Sequence, residues 1–257
     1  MYQNITRAAN LMALSLPVFL AILNLRRPAV FIPAMLVSIA VVSILAARSG
    51  ADAALLSILF ASVVGLATYF IGRNSFRILA VLSAVLIMTM PLIVGGIVLT
   101  TRNMESGKIP LSFQSRLDTF EYVSEKTNQK WLTGWGIDAS RSWDEKKEVE
   151  AFGQTVQYRI VPGHPHNMPL QVWAETGLIG ALLISAFALL LGDRLARTSS
   201  PSKQIMAAGA ALWGGGLVYS AISYSVWNDA YWATLLFLGT GIYALSRTLP
   251  RTPEATA

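Results

Sequence analysis

The 257 residues are 54% hydrophobic and 13% charged, with a mean hydropathy of +0.51, which is too apolar for an ordinary soluble domain. The net charge of +6 is read as a mark of membrane orientation rather than of nucleic-acid binding, because Lys and Arg collect on cytoplasmic loops. With no cysteine, a disulfide framework, a thiol nucleophile and a Cys-based metal site are all excluded.

The chain opens with M-Y-Q-N-I-T-R-A-A-N, one early Arg before an apolar run that no small-residue cleavage pattern follows. This reads as a retained helix rather than a signal peptide. Apolar runs long enough to cross roughly 30 Å of hydrocarbon at about 1.5 Å per residue occur at about 8–25, 28–47, 53–71, 78–99, 168–192, 204–226 and 230–246. The expected fold class is therefore all-α, a polytopic transmembrane helix bundle of about seven spans. Helices 1–4 occupy residues 1–99, a long loop occupies 100–166, and helices 5–7 with a tail occupy 167–257. The loop holds nine acidic and nine basic residues and has turn signals at S-G-K-I-P, T-G-W-G and V-P-G-H-P. A folded or partly folded extramembrane segment is expected there.

Because each span reverses sides, the charges on the connections can be sorted by alternation. Arg26, Arg27, Arg73, Arg77, Arg194, Arg197, Lys203, Arg247 and Arg251 fall on one side, while Arg48 is the one basic residue in the short loops of the other. The first side is expected to be cytoplasmic. The long loop, the Arg48 turn and W-N-D-A-Y-W then face the periplasm or exterior of a multi-pass membrane protein, with the N-terminus outside.

Both histidines lie in G-H-P-H-N-M-P-L-Q-V-W-A-E-T-G-L-I-G, residues 163–180, where the polar segment meets the fifth apolar run. Pro169 suits the first turn of a helix and Asn167 is a capping residue type, so the helix is expected to begin at 167–169 with His166 at its mouth. At about 100° per residue, Gly177 and Gly180 return to within about 20° and 40° of His166. If the helix holds that phase, a glycine stripe below the histidine lets a neighbouring helix approach closely. Glu175 falls on the opposite side, about two turns into the membrane, where an ionisable group needs a partner or water. A helix N-terminus attracts phosphate and keeps a nearby imidazole neutral, and a neutral imidazole is what a general base requires. The plainer alternatives are a solvated or capping histidine, glycines that only pack, and a Glu175 that bridges helices.

These residues resemble the O-antigen ligases and the related Wzy-type polymerases and oligosaccharyltransferases. Their C-terminal signature is His, then Asn, Ser or Gln, nine residues, Gly, two residues, and Gly, Thr or Tyr. It is matched by His166-Asn167, M-P-L-Q-V-W-A-E-T, Gly177, Leu178-Ile179 and Gly180. W-L-T-G-W-G-I-D-A-S-R resembles the G-x-G turn ahead of the histidine. Arg116 in S-R-L-D-T-F-E-Y matches the arginine that opens the long loop, with Phe120 where the family shows Trp. Arg48 in A-A-R-S-G-A resembles a Ser-Arg-Gly element at an earlier periplasmic turn, with Ala47 before it and Ser49 interposed. The resemblance covers essentially the whole chain and corresponds to the C-terminal two-thirds of such a protein, without its N-terminal helices.

The resemblance implies a glycosyltransferase of lipopolysaccharide or surface-polysaccharide biosynthesis, working without a metal or other cofactor. It moves a glycan from undecaprenyl pyrophosphate to a hydroxyl of the lipid A core, of another glycan chain or of a protein residue. His166 would be the catalytic base, Arg116 and Arg48 would hold the pyrophosphate, and Asn167, Glu175, Gly177 and Gly180 would support them. The implied partners are the lipid-linked glycan donor, the glycan or lipid A-core acceptor and membrane lipids, with no nucleic acid.

Other readings stay open at this point. A ligase and a polymerase that joins repeat units are not separated by sequence. A transporter would place charged residues near the midplane of several spans, whereas Glu175 is the one acid within an expected span; a truncated, inactive subunit is a further alternative. Arg48 is alternatively an interfacial anchor, and Arg116 a partner of Asp118 or Glu121. Arg141, Arg159 and His164 are secondary candidates for phosphate contact, with a solvated loop charge as the simpler role. Trp213, Trp227, Tyr231 and Trp232 read as interfacial belt residues, while Trp131, Trp135, Trp143 and Tyr158 in the loop are candidates for stacking on a sugar.

Overall fold

Long aliphatic runs bounded by arginine, proline and glycine fold as helices, because in hydrocarbon every backbone N–H and C=O must be satisfied within the segment. In a computed structural model describing residues 2–101, 111–151, 154–197 and 202–248, the four N-terminal helices are α1 (Tyr2–Arg26), α2 (Pro28–Arg48), α3 (Asp52–Ile71) and α4 (Asn74–Thr101). α5 (Leu111–Gln129) and the antiparallel pair β1 (Lys146–Ala151) and β2 (Gln154–Arg159) follow in the long loop, then α6 (Met168–Arg197), α7 (Lys203–Ile222) and α8 (Asp229–Thr248). Pro28 opens α2 at a position where its missing N–H costs nothing. Gly72 closes α3 with φ +72°, a left-handed conformation open to a residue without Cβ.

Among the described residues six helices, α1 to α4, α6 and α7, are long and apolar enough to cross a membrane. Their outward residues are aliphatic or aromatic, with Leu36 60%, Phe70 77% and Leu190 71% exposed, a surface that only a bilayer makes favourable. This is a multi-pass, all-α membrane protein. The seventh expected span does form a helix, α8, but it is not among these six.

The chain divides into two compact units. The first comprises Met1–Val81, Leu189–Tyr219 and Asn228–Ala257. In it α1 packs on α2, α3 and α8, and Phe76, Leu79, Ala196 and Ala210 form a buried cluster backed by Met206 and Trp213. The second comprises Leu82–Ala188 and Ser220–Trp227 and contains the long loop. Its core is Met90 and Val94 of α4, Val123 of α5, Trp143 and Val161 of the loop, and Leu170 and Ala174 of α6. α5 has a polar surface, but Thr119, Val123 and Thr127, spaced by four, are buried and give it one face for that core. The loop is thus a folded layer. Its hairpin was not foreseen: K-K-E-V-E-A carries charges where an apolar alternation would have marked a strand.

Candidate active site

The junction between the loop and α6 departs from an ordinary helix start in one decisive way. Gly177 has φ +63° and ψ −160° inside α6, a conformation essentially restricted to glycine, so the helix is broken there. The break frees carbonyls at the end of the first piece and N–H groups at the start of the second. The segment W-L-T-G-W-G supplies their partners: Trp135 N donates to Ala174 O (2.9 Å) and Gly136 N to Glu175 O (2.9 Å), while Leu178 N donates to Trp131 O (2.8 Å) and Ile179 N to Leu132 O (3.3 Å). Backbone lies on backbone so closely that a Cβ on Gly177 would collide with the Leu132 carbonyl, and one on Gly134 with the Glu175 carbonyl.

The glycine stripe read from the helical wheel is therefore corrected. No phase runs from His166 through Gly177, because the helix stops there. What approaches Gly177 is the loop rather than a neighbouring helix, and the space beside Gly180 is filled by the side chain of Thr176. The two pieces also differ in surroundings. Over 168–176 the first is almost wholly buried in protein, while the second, 178–197, exposes Leu183, Phe187 and Leu190 and at about 1.5 Å per residue is itself about 30 Å long. Glu175 thus sits ahead of the spanning piece, where protein donors reach it.

The start of α6 is as expected. Asn167 Oδ1 accepts from Leu170 N at 2.8 Å, capping the helix, and His166 stands immediately outside. His166 has φ +54°, unfavourable for a residue with a Cβ, and its backbone N–H donates to His164 Nδ1 at 3.1 Å. Its own Nδ1 lies 3.1 Å from the carbonyl oxygen of Ser223. A carbonyl only accepts, so Nδ1 carries the proton and Nε2 keeps its lone pair. Burial pushes the His166 pKa below its ordinary 6.5, the Ser223 carbonyl opposes that, and the positive charge of Arg116 adds to the lowering. His164 is held down to about 4 by burial, with His166 and Arg141 contributing. Both rings are neutral at pH 7.

Glu175 is 1% exposed and holds the surrounding segments together. Its carboxylate accepts from Asp138 N (2.8 Å), Ser140 N (3.3 Å), Ser140 Oγ (2.7 Å), Gln171 Nε2 (2.9 Å) and Trp227 Nε1 (2.6 Å). Gln171 Oε1 in turn accepts from Val226 N at 3.0 Å. Residues 223–227 are thereby fastened to α6 at Gln171 and Glu175, which fixes the carbonyl that orients His166. A second anchor is Trp173, whose indole N–H donates to Ile87 O at 2.7 Å. Pro91, four residues on in α4, has no N–H to satisfy that carbonyl, and Trp173 takes its place.

Arg116 is exposed on α5, near enough to His166 for its charge to act on the ring. Its expected alternative partner Asp118 is taken by Lys147 Nζ at 2.7 Å and by the Tyr158 hydroxyl, and among the described residues no ion pair engages the guanidinium. Asp118 with Tyr158, and Thr119 Oγ1 donating to Ile160 O, tie α5 to the strand that leads into His164 and His166. Arg159 is not a free cation: Nε donates to Trp143 O and an Nη to Arg141 O, each at 2.7 Å. Arg141 is exposed and pairs with Asp138 at 3.2 Å. Arg48 ends α2 in the first unit, exposed, before the Ser49-Gly50 turn whose Ser49 carbonyl accepts from Thr6.

Residues 43–185, more than half of the chain, match the family model described as O-antigen ligase. The chain belongs to the O-antigen ligase family. The match takes in Arg48, Arg116, His166, Asn167, Glu175, Gly177 and Gly180. The chain is also 26% identical over 133 residues to a Rickettsia conorii protein named "Putative polysaccharide ligase", an overlap of 51% of this chain and 30% of that one. The chain thus spans less than a third of the relative's length. No solved structure matches it.

In this O-antigen ligase family member several loop aromatics have structural posts. Trp143 is buried, edge-on to Tyr122. Trp135 donates its indole N–H to Lys126 O and lies under the ammonium groups of Lys126 and Lys130. Tyr158 is bound to Asp118, leaving Trp131, 55% exposed, as the open ring of the four. The belt expectation is corrected for Trp227, which serves Glu175, and for Tyr231, which is buried with its hydroxyl on Gly216 O, while Trp213 is partly buried against the first unit's core cluster. Trp232 is the one of that group that is largely exposed. Ser223, Ser140 and Trp227 were missed as partners of the site. Gln171 was in view only through L-Q-x-x-x-E-x-G, which resembles the family and places it four residues before Glu175.

Proposed function

We propose that this protein transfers a glycan from undecaprenyl pyrophosphate to an acceptor hydroxyl, the lipid A core in the ligase reading, at the periplasmic face of the inner membrane. The observation that carries the reading is the 3.1 Å contact of His166 Nδ1 with the Ser223 carbonyl, which leaves Nε2 as the base, with the charge of Arg116 acting on the ring. In the step, the acceptor oxygen bonds to the anomeric carbon as its proton passes to His166 Nε2. The bond from that carbon to the phosphate oxygen breaks, and the electron pair leaves with the pyrophosphate.

Charge develops on the leaving group, where a guanidinium binds phosphate oxygens in a fork. Arg116 is the group for this on the His166 side, and Arg48 is assigned the same task by its place in the family pattern. Proton removal by a positioned base is worth on the order of 100- to 10,000-fold in rate. The test is expression in a strain lacking its O-antigen ligase and, separately, in one lacking its polymerase. A restored full-length lipopolysaccharide ladder in the first supports the ligase reading. Restoration in the second alone transfers the same chemistry to a polymerase, and restoration in neither contradicts both.

A further inference from the structure

We propose that His164 is a positioning residue, whose Nδ1 holds the His166 main chain in the conformation that presents Nε2 as the base; this rests on the reading of His166 above. The sequence places two imidazoles two residues apart with a buried proline between them. Pro165 fixes its own φ and removes one donor, so the turn has few ways to hold its shape. His166 is in the left-handed region at φ +54°, where a residue with a Cβ stays only when its surroundings hold it. The holding contact is the hydrogen bond from His166 N to His164 Nδ1, 3.1 Å, with the ring centroids 4.3 Å apart.

An Nδ1 that accepts leaves the proton of neutral His164 on Nε2, the mirror of the tautomer that Ser223 imposes on His166. The charged groups facing the pair are Arg141 at His164 and Arg116 at His166. Among the described residues neither ring has a carboxylate partner. With Nδ1 committed to the His166 N–H, the role proposed for His164 is exerted through His166.

Asparagine and glutamine separate this role from a direct one. Asn places its oxygen where Nδ1 stands, whereas Gln places its polar end where Nε2 stands. The full chain is reconstituted in membranes, and transfer is measured with an undecaprenyl-pyrophosphate-linked oligosaccharide as donor probe. His164→Ala and His164→Gln are expected to lose about tenfold or more in kcat with donor KM little changed, and His164→Asn to stay within about threefold of the parent. Rescue by Gln rather than Asn, a change confined to KM, or parent-like rates in all three overturn the proposal.

A readout independent of transfer comes from the count of two histidines, since each His164 variant leaves one imidazole to observe by 15N NMR. In His164→Asn the remaining ring is expected to keep the Nδ1–H tautomer at pH 7, and in His164→Gln to populate both. Identical tautomers in the two variants overturn the proposal even where His166→Ala abolishes transfer. A parent-like rate in His166→Ala removes the base reading alone.

Discussion

The Nδ1 of His166 lies 3.1 Å from the main-chain oxygen of Ser223, 57 residues further along the chain, and this contact decides which ring nitrogen is free. Because burial and Arg116 lower the His166 pKa from 6.5, the acid limb of kcat/KM for glycan transfer should lie below pH 6.5. The base works only when neutral, so activity falls as pH drops through that lowered value. Arg116→Gln removes a neighbouring positive charge and should move the limb to higher pH while weakening donor binding. Arg116→Lys keeps the charge and should move the limb less.

Stability should follow pH in the same sense. His164 titrates near 4 in the folded protein against 6.5 as its ordinary value, so between those values the unfolded chain binds more protons. The contribution is complete above pH 6.5 and is lost as pH falls towards 4. Thermal unfolding in detergent at pH 7 and pH 5 should show a drop in midpoint that is smaller in His164→Asn.

Glu175 is the group whose loss should be felt furthest. Glu175→Ala leaves buried donors on residues 138, 140, 171 and 227 without an acceptor, a cost of roughly 3 kcal/mol or more. Glu175→Gln keeps the volume but turns an NH2 towards donors, a cost of about 1–3 kcal/mol. The order Ala, then Gln, then parent in thermal midpoint checks this.

Two double-mutant cycles test the backbone arrangement. Trp173→Phe orphans Ile87 O at a cost of about 1–3 kcal/mol, and Pro91→Ala, which restores an N–H four residues on, should recover part of it. Gly180→Ala meets both the Oγ1 and the Cβ of Thr176, so Thr176→Gly should relieve it more than Thr176→Ala, which keeps that Cβ. No side-chain change should relieve Gly177→Ala, since what it meets is the Leu132 carbonyl and φ is +63°.

These cycles probe the parts that the sequence did not disclose. The spans were legible because aliphatic runs of that length have one stable solution in a bilayer, and the start of α6 because Asn167 and Pro169 are local signals whose effect is local. The break at Gly177 was not, since A-E-T-G-L-I-G reads as an uninterrupted helix unless the loop that fills the gap is known. Nor was the role of Ser223, because a main-chain carbonyl carries no side-chain signature. Trp227 looked like a residue for the membrane interface because its polar N–H has the same meaning there as beside Glu175; only the fold distinguishes the two.

The central claim is that His166 removes the acceptor's proton, and the most direct measurement is transfer by His166→Ala with and without added imidazole, in membranes where insertion and thermal midpoint match the parent. A loss of about 100-fold or more is expected, partly restored by imidazole in proportion to its neutral form. Transfer by His166→Ala at the parent rate would contradict it.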